Sequence, residues 1–228
     1  MSDSKETKVR LADRISTFLS RYRMPLFVIS VVLIVGIVAS VLIAQWFNTR
    51  AERSAEKAEA IETLWQEWRE EYSDEESDTP SAIEEELRAE IADARNEFPR
   101  RYAGMRASLI RAQLEWELKN YEDAYGLFLE ISETWSGTYI EPVALAGAAA
   151  SSEELGQNDD AISIYERVVQ LEEVQNIERA HALFSLGRIA ETTGDTSSAL
   201  EYYNRLVDEH GDSSWTNLGR NRIIWLTS

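Results

Sequence analysis

The chain of 228 residues contains no cysteine and only two histidines. Without cysteine it has no disulfide, no thiolate metal site, no cysteine nucleophile and no acceptor for the lipid of a bacterial lipoprotein. Its two histidines, His181 and His210, are too few for a His-based metal centre. Ten glycines and four prolines are few for a strand-and-turn architecture, so the composition favours helices.

Basic residues are also scarce, since 23 Lys and Arg stand against 41 Asp and Glu, for a formal net charge of −18. A surface this acidic repels a phosphate backbone, which argues against nucleic acid as a partner. Hydrophobic residues make up 44% of the chain and charged residues 28%, which is the composition of a folded protein.

Catalytic signatures are missing, because the sequence holds no G-x-S-x-G, no H-E-x-x-H and no Gly-rich phosphate loop. Adjacent carboxylates such as Glu153 and Glu154 could serve as a glycosidase pair, although the commoner place for such acids is a solvated helix face. We predict a protein that is not an enzyme and that uses no cofactor, metal or small-molecule substrate.

One long hydrophobic run is present, at residues 26–44, inside an uncharged stretch at residues 24–47. Nineteen residues of α-helix rise about 28 Å, close to the thickness of a bilayer's hydrocarbon core, so we predict a transmembrane helix over 24–47. Tyr22, Trp46 and Phe47 flank the run, where aromatic rings favour the headgroup level. The alternative is a cleaved signal peptide, but its apolar core would be shorter and would precede a small-x-small cleavage site.

The flanking charges predict how the span is oriented. Six Lys and Arg precede it and three follow closely, namely Arg50, Arg53 and Lys57. The excess of positive charge on the first side places the N-terminus in the cytoplasm and the acidic bulk outside it. Within the span, small residues recur every fourth position at Gly36, Ser40 and Ala44, and we predict that they form a packing face for another membrane helix. Chance alignment of common small residues is the alternative.

Residues 48–99 carry two helical patterns separated by an acidic segment. Apolar or small residues spaced by three or four, from Ala51 to Tyr72, predict a helix that continues the span. The segment SDEESDTP interrupts it. Ser81 and Glu84 then form a capping box that opens a helix with a buried face ending at Phe98.

The remainder of the chain repeats itself. A small residue early in each predicted second helix is the anchor of the repeat, and these anchors, Ala124, Ala161 and Ala199, lie 37 and 38 residues apart. An aromatic residue follows each anchor by four positions, at Phe128, Tyr165 and Tyr203. Another small residue precedes each anchor by twelve, at Ala112, Ala149 and Gly187. Small residues let paired helices approach and the ring covers the next turn, so we predict three helix hairpins.

The third unit resembles a tetratricopeptide repeat. Its characteristic positions hold Leu183, Leu186, Gly187, Gly194, Ala199 and Tyr203. The resemblance implies an all-α fold: one N-terminal transmembrane helix followed by a tetratricopeptide-like helical-repeat domain. The expected domains are a basic cytoplasmic tail at 1–23, the span at 24–47, a connecting helix, acidic linker and N-terminal packing helix at 48–99, and about three repeats with a C-terminal capping helix at 100–228.

The order of these parts resembles the YfgM-type proteins, ancillary subunits of the bacterial SecYEG translocon. The segments FPRRYAGMRASLIRAQLEWELKNYEDAYGLFLEI and NLGRNRIIWL are similar to that family's first repeat and closing helix. The resemblance implies an inner-membrane protein with a periplasmic domain that links secreted polypeptides to a membrane-anchored chaperone of the PpiD type. A structural adaptor for envelope or cell-division assembly is the alternative function.

In tetratricopeptide repeats the first helix of each pair lines a concave groove, and the repeat pattern assigns residues of this chain to it. The predicted groove residues are Arg106, Leu109, Gln113, Trp116 and Glu117, Val143, Ala146, Ala150, Glu153 and Glu154, and His181, Phe184, Arg188, Glu191 and Thr192. Apolar and acidic side chains together suit an extended polypeptide with basic character. Burial against a neighbouring helix is the alternative for Trp116 and Phe184, and His181 is expected to be a packed or surface residue rather than a ligand.

Overall fold

A computed structural model describes residues 23–74, 81–171 and 176–228. Within these ranges the regular structure consists of nine α-helices and contains no strand, as the sequence predicts. The helices are α1 Arg23–Asp74, α2 Ala82–Glu97, α3 Tyr102–Glu117, α4 Tyr121–Thr134, α5 Ile140–Glu154, α6 Asn158–Gln170, α7 Arg179–Thr192, α8 Thr196–Glu209 and α9 Ser214–Thr227. The basic tail before residue 23 and the linker residues 75–80 lie outside the described part.

The chain divides between Arg53 and Ser54 into two compact units. In the first unit, α1 carries an 18-residue window with a mean hydropathy of 3.1, of which no part is buried. This helix is a candidate membrane span by length and composition. Gly36, Ser40 and Ala44 are exposed on it, and the Ser40 hydroxyl donates to the carbonyl of Ile37.

In the second unit, the predicted hairpins are the pairs α3 with α4, α5 with α6, and α7 with α8. Each first helix ends in a turn whose central residue has a positive φ, and these residues are Lys119, Gly156 and Gly194. The sequence supplies glycine at two of these turns because a residue without Cβ adopts this conformation at no steric cost. Lys119 holds the same conformation in the first turn.

Aromatic rings of the second helices pack directly on small residues, as the repeat pattern predicts. A Cβ atom added to Gly187 would lie 2.5 Å from the ring of Tyr203, its partner within the same hairpin. A Cβ atom added to Gly147 would lie 2.6 Å from the ring of Phe128 in the preceding hairpin. These glycines therefore let the backbone of one helix touch a ring on the next.

A fourth hairpin precedes the three predicted ones. Lys57, early in the second unit's part of α1, pairs with Glu90 and Asp93 in the second half of α2, which indicates that these two helices are antiparallel. The backbone N–H of Ala103 donates to the Ser54 hydroxyl (3.1 Å), and at the other end of α3 the Tyr72 hydroxyl donates to the carbonyl of Glu117 (3.3 Å). Residues 54–74 of α1 therefore run parallel to α3, as the first helices of successive repeats do.

The buried residues of α2 share the spacing of the other second helices. Leu87, Ile91, Ala94 and Phe98 are buried. Each precedes by 37 residues its counterpart in α4, and the counterparts are Ala124, Phe128, Ile131 and Trp135. Leucine stands where the other repeats have the anchor alanine, so a pattern built on alanine does not detect this hairpin. At the start of α2, the Ser81 hydroxyl accepts the N–H of Glu84, which confirms half of the capping box.

Helix α9 lies beside α7 in the same direction. Trp215 near its start stacks on His181 with ring centroids 4.6 Å apart, and Arg222 near its end donates from Nε to Glu191 (3.0 Å). Ile224 and Trp225 near the end of α9 are 66% and 62% exposed, so these two side chains are not part of this packing.

Candidate functional site

Two cavities open along the first helices of the second unit. The N-terminal cavity has a volume of about 480 Å³ and lies among α1, α3 and α5. It is lined by Ala55, Ala58, Glu59, Glu62, Thr63, Gln66, Tyr102, Met105, Arg106, Tyr139 and Ile140. More than half of this lining comes from α1, which the sequence analysis did not place in the groove.

Arg106 is the one predicted groove residue that lines the N-terminal cavity. Its Nε donates to Oε2 of Glu62 over 2.7 Å, and Gln66 donates to the other carboxylate oxygen over 3.0 Å. Burial opposes ionisation of Glu62, but these hydrogen bonds and the charge of Arg106 outweigh it and lower its pKa. Glu62 is therefore an anion engaged within the chain, and Glu59 is the exposed carboxylate of this cavity.

The C-terminal cavity, with a volume of about 400 Å³, lies among α5, α6, α7 and α9. Its lining consists of Ala150, Glu153, Glu154, Asn158, Tyr165, His181, Phe184, Ser185, Arg188 and Trp215. Six of the predicted groove residues meet here, namely Ala150, Glu153, Glu154, His181, Phe184 and Arg188. The groove prediction considered only the first helix of each pair. It therefore did not include Asn158 and Tyr165 of the second helix α6, or Trp215 of the last helix α9.

Glu153 is the polar centre of the C-terminal cavity. Its Oε1 accepts the hydroxyl of Tyr165 (2.9 Å) and its Oε2 accepts Nη2 of Arg188 (2.5 Å). Burial and the negative charge of Glu153 raise the pKa of Tyr165, so the phenol stays neutral and acts as the donor. The neighbouring Glu154 is exposed. Since Glu153 is engaged twice, the two acids do not form the free carboxylate pair that glycoside hydrolysis requires.

Aromatic rings form the other wall of this cavity. Trp215 stacks on His181 and contacts Phe184, with a centroid separation of 5.3 Å in the second pair. His181 also contacts Tyr165 and places Nδ1 2.9 Å from Oε2 of Glu178. His181 is thus packed between neighbouring rings while it also lines the cavity. Phe184 is half-buried and lines the cavity, so it is packed and accessible at once.

Glu191 repeats the arrangement of Glu153 one hairpin later. It accepts the hydroxyl of Tyr203 (3.1 Å) and is paired with Arg222 of α9. Glu153 thus contacts Tyr165 of its own hairpin and Arg188 of α7, and Glu191 contacts Tyr203 of its own hairpin and Arg222 of α9. In the first hairpin the equivalent position holds Trp116, and the equivalent ring is Phe128, which has no hydroxyl to donate.

The predicted residues Gln113, Trp116, Glu117 and Glu191 line neither cavity. Buried atoms Oε1 of Gln113 and Nε1 of Trp116 have no hydrogen-bond partner among the described residues. Trp116 packs edge-on against Tyr121, as its alternative interpretation predicted, and the carbonyl of Glu117 is covered by Tyr72. In the described part of the chain, no cluster of three or more acids or histidines could hold a metal ion.

Comparison with known proteins supports the repeat assignment. The tetratricopeptide repeat family matches residues 141–208, which span helices α5 to α8. A tetratricopeptide repeat-containing protein of Treponema pallidum (strain Nichols) is 26% identical over 113 residues, which are 50% of this chain and 46% of that protein. The chain therefore spans less than half the length of this relative. Repeats of this kind indicate a scaffold for protein–protein interaction, and no feature of the match indicates catalysis.

Proposed function

We propose that this protein is a membrane-anchored scaffold that binds polypeptide segments along the first helices of its repeats. The observation that carries the proposal is the pair of cavities, each of which combines aromatic side chains with an exposed carboxylate. Tyr102 and Tyr139 with Glu59 occur in one, and Phe184 and Trp215 with Glu154 in the other. Rings bind apolar side chains and the carboxylates favour basic ones. An extended segment with both would fit each cavity.

We place the protein in the bacterial inner membrane, with the N-terminus in the cytoplasm and the repeat domain in the periplasm. The candidate span supports a single-pass anchor. The excess of Lys and Arg before it supports this orientation.

The proposed partners are the SecYEG translocon and a membrane-anchored periplasmic chaperone of the PpiD type. The support is the resemblance of the domain order and of two segments to the YfgM-type proteins. In this role the groove would receive a secreted polypeptide close to the membrane. The structural adaptor for envelope or cell-division assembly instead binds folded partners and leaves the groove empty of unfolded chains.

Photo-crosslinking from three exposed positions tests the proposal. A crosslinking amino acid at Gln66 or Glu154 faces the N-terminal or C-terminal cavity, and one at Asp123 on the second helix α4 is the control. We expect nascent secreted chains and translocon or chaperone subunits to be captured at the first two positions and not at Asp123. Capture of cell-wall or outer-membrane machinery instead would favour the adaptor, and equal capture at all three positions would contradict a binding groove.

A further inference from the structure

Helix α9 exposes large apolar side chains that the packing of the repeats does not use. Leu218 and Trp225 are 47% and 62% exposed, although α9 packs against α7 and α8. Together with Trp215 and Arg222 they are spaced by three, four and three residues, so the four side chains lie on one face of the helix. We call this face the α9 stripe. Its apolar residues are neighbours, which distinguishes them from single exposed side chains.

The α9 stripe occupies the groove positions of a further first helix. Its residues follow, by 34 positions each, four predicted groove residues of α7. The pairs are His181 with Trp215, Phe184 with Leu218, Arg188 with Arg222, and Glu191 with Trp225. Thirty-four residues is the usual length of a tetratricopeptide repeat. The same offset pairs Ala182 with Thr216, and both are fully buried, so the alignment gives α9 the role of a first helix.

Hydrogen bonds in the structure support this alignment. Arg188 of α7 donates to Glu153 on the preceding first helix, and Arg222 of α9 donates to Glu191 on α7. The two contacts are equivalent, since Arg188 and Arg222 are paired by the alignment and Glu153 and Glu191 hold the same position in successive repeats. Helix α9 therefore packs as a first helix, with the α9 stripe on its groove side.

The α9 stripe begins in the C-terminal cavity. Trp215 lines that cavity and contacts Phe184, with ring centroids 5.3 Å apart. From Trp215 the helix rises about 15 Å to Trp225. The guanidinium of Arg222 lies over the ring of Trp225, 4.6 Å from its centroid, so this ring packs along the stripe. A chain that leaves the cavity along α9 would therefore stay on a continuous apolar surface.

The α9 stripe differs from the cavities in its charge. Each cavity carries an exposed carboxylate, whereas α9 contains no Asp or Glu. Where α5 and α7 have Glu153 and Glu191, the stripe has Trp225. Its charged member, Arg222, is paired with Glu191. The chemistry of the stripe therefore suits an aromatic or large aliphatic side chain and not a basic one.

We propose that the α9 stripe is an apolar subsite of the polypeptide groove, and that the bound segment carries two large apolar residues about four positions apart. One contacts Phe184 and Trp215 in the C-terminal cavity, and the other contacts Leu218 and Trp225. The spacing follows from the rise of about 15 Å along α9, which an extended chain covers in about four to five residues. This inference rests on the proposed function, because it assumes that polypeptides bind in the groove.

Binding of a designed peptide to the full-length chain in lipid nanodiscs tests this subsite. The fluorescein-labelled peptide SKFSTSFS carries two phenylalanines four positions apart, and the lysine before the first one suits Glu154. We expect replacement of its second phenylalanine by serine to weaken binding at least about fivefold, as measured by fluorescence polarisation. In the Trp225→Ser variant the same replacement should weaken binding less than about twofold, because the contact of the second ring is already lost.

Ile224→Ser is the matched control. Ile224 is also a large apolar residue of α9 and is 66% exposed, but it lies outside the stripe. We expect this variant to bind both peptides as the unmodified chain does. Glu154→Gln should weaken the binding of both peptides by the same factor, since it removes the attraction for lysine and leaves the apolar contacts. Circular dichroism checks that each variant remains folded.

Three results would overturn the inference. The first is an equal effect of the second phenylalanine in the unmodified chain and in Trp225→Ser. The second is an effect of Ile224→Ser as large as that of Trp225→Ser. The third is sedimentation of the unmodified chain as an oligomer that Trp225→Ser dissociates, which would show that a second copy covers the stripe.

Crosslinking from Glu154 separates this inference from its premise. If secreted chains are captured at Glu154 but the peptide does not bind, or binds independently of its second phenylalanine, the α9 subsite is refuted and the groove stands. If neither capture nor peptide binding occurs, the groove is refuted as well.

Discussion

Replacing Gly187 by alanine tests the packing of the third hairpin. The new Cβ atom would lie 2.5 Å from Cε1 and 2.7 Å from Cδ1 of Tyr203, a fully buried ring. Carbon atoms pack at about 3.5 to 4.0 Å, so the ring or the helix must move by about 1 Å. Overpacking of this kind costs about 1 to 3 kcal/mol. Alanine is favoured over glycine in a helix interior by about 0.5 to 1 kcal/mol, which offsets only part of this cost. The variant should therefore have a lower free energy of unfolding.

Gly126→Ala is the matched control. Gly126 also lies inside a helix, α4, but it is exposed and a Cβ atom there would meet nothing within 4 Å. Only the higher helix propensity of alanine acts at this position, so the free energy of unfolding should rise by about 0.5 to 1 kcal/mol. The two glycine-to-alanine changes are thus expected to shift stability in opposite directions.

Denaturant unfolding of residues 54–228, followed by circular dichroism, measures both shifts. Tyr203→Leu in the Gly187→Ala background should recover part of the loss, because a smaller side chain leaves room for the new methyl group. The double-mutant cycle would then show a favourable coupling of about 1 kcal/mol. If Gly187→Ala instead stabilises the domain as much as Gly126→Ala does, the packing of Tyr203 on α7 proposed here is wrong.

Three further predictions concern the membrane and the first repeats. Protease added to intact spheroplasts should digest residues 54–228, and full protection of this domain until lysis would place it in the cytoplasm. Gly36→Leu should still insert into the membrane but should reduce co-purification of a membrane partner, whereas Val35→Leu, off that face, should leave co-purification unchanged. If both variants retain the partner equally, the span serves only as an anchor. Despite the opposing effect of burial, hydrogen bonds from Arg88 and Asn120 lower the pKa of Glu115, whose ordinary value is 4.5. Its contribution to stability is therefore present above pH 4.5 and is lost as the pH falls through the lowered value, so Glu115→Gln should flatten acid unfolding curves in that window.

The sequence alone was sufficient to predict the long apolar helix that is the candidate span and three of the hairpins. A membrane span requires only an uninterrupted apolar run of sufficient length, which can be counted along the chain. The hairpins depend on a small residue at one turn and a ring at the next, and Ala161 with Tyr165 satisfies this within four positions. Such patterns are local, so the fold class followed from them. The domain boundaries and the groove assignments remain predictions.

The fourth hairpin was recognisable only in the structure. Leu87 holds the position that Ala124 holds in the next repeat, and it is buried in a core cluster with Trp65 and Trp68 of α1. A pattern anchored on a small residue cannot detect a hairpin whose anchor position holds leucine.

The tertiary structure also decided which side chains of the groove are accessible. Glu153 and Glu154 are neighbours in sequence and equally acidic, but Tyr165 and Arg188 hold the first, whereas the second is exposed and hydrogen-bonded to Tyr121. Arg188 lies 35 residues from Glu153 along the chain, and its approach depends on how α7 packs against α5. Composition and spacing determine which faces of the helices are buried. Whether a charge on the remaining face is available to a partner depends on residues that only folding brings within hydrogen-bond distance.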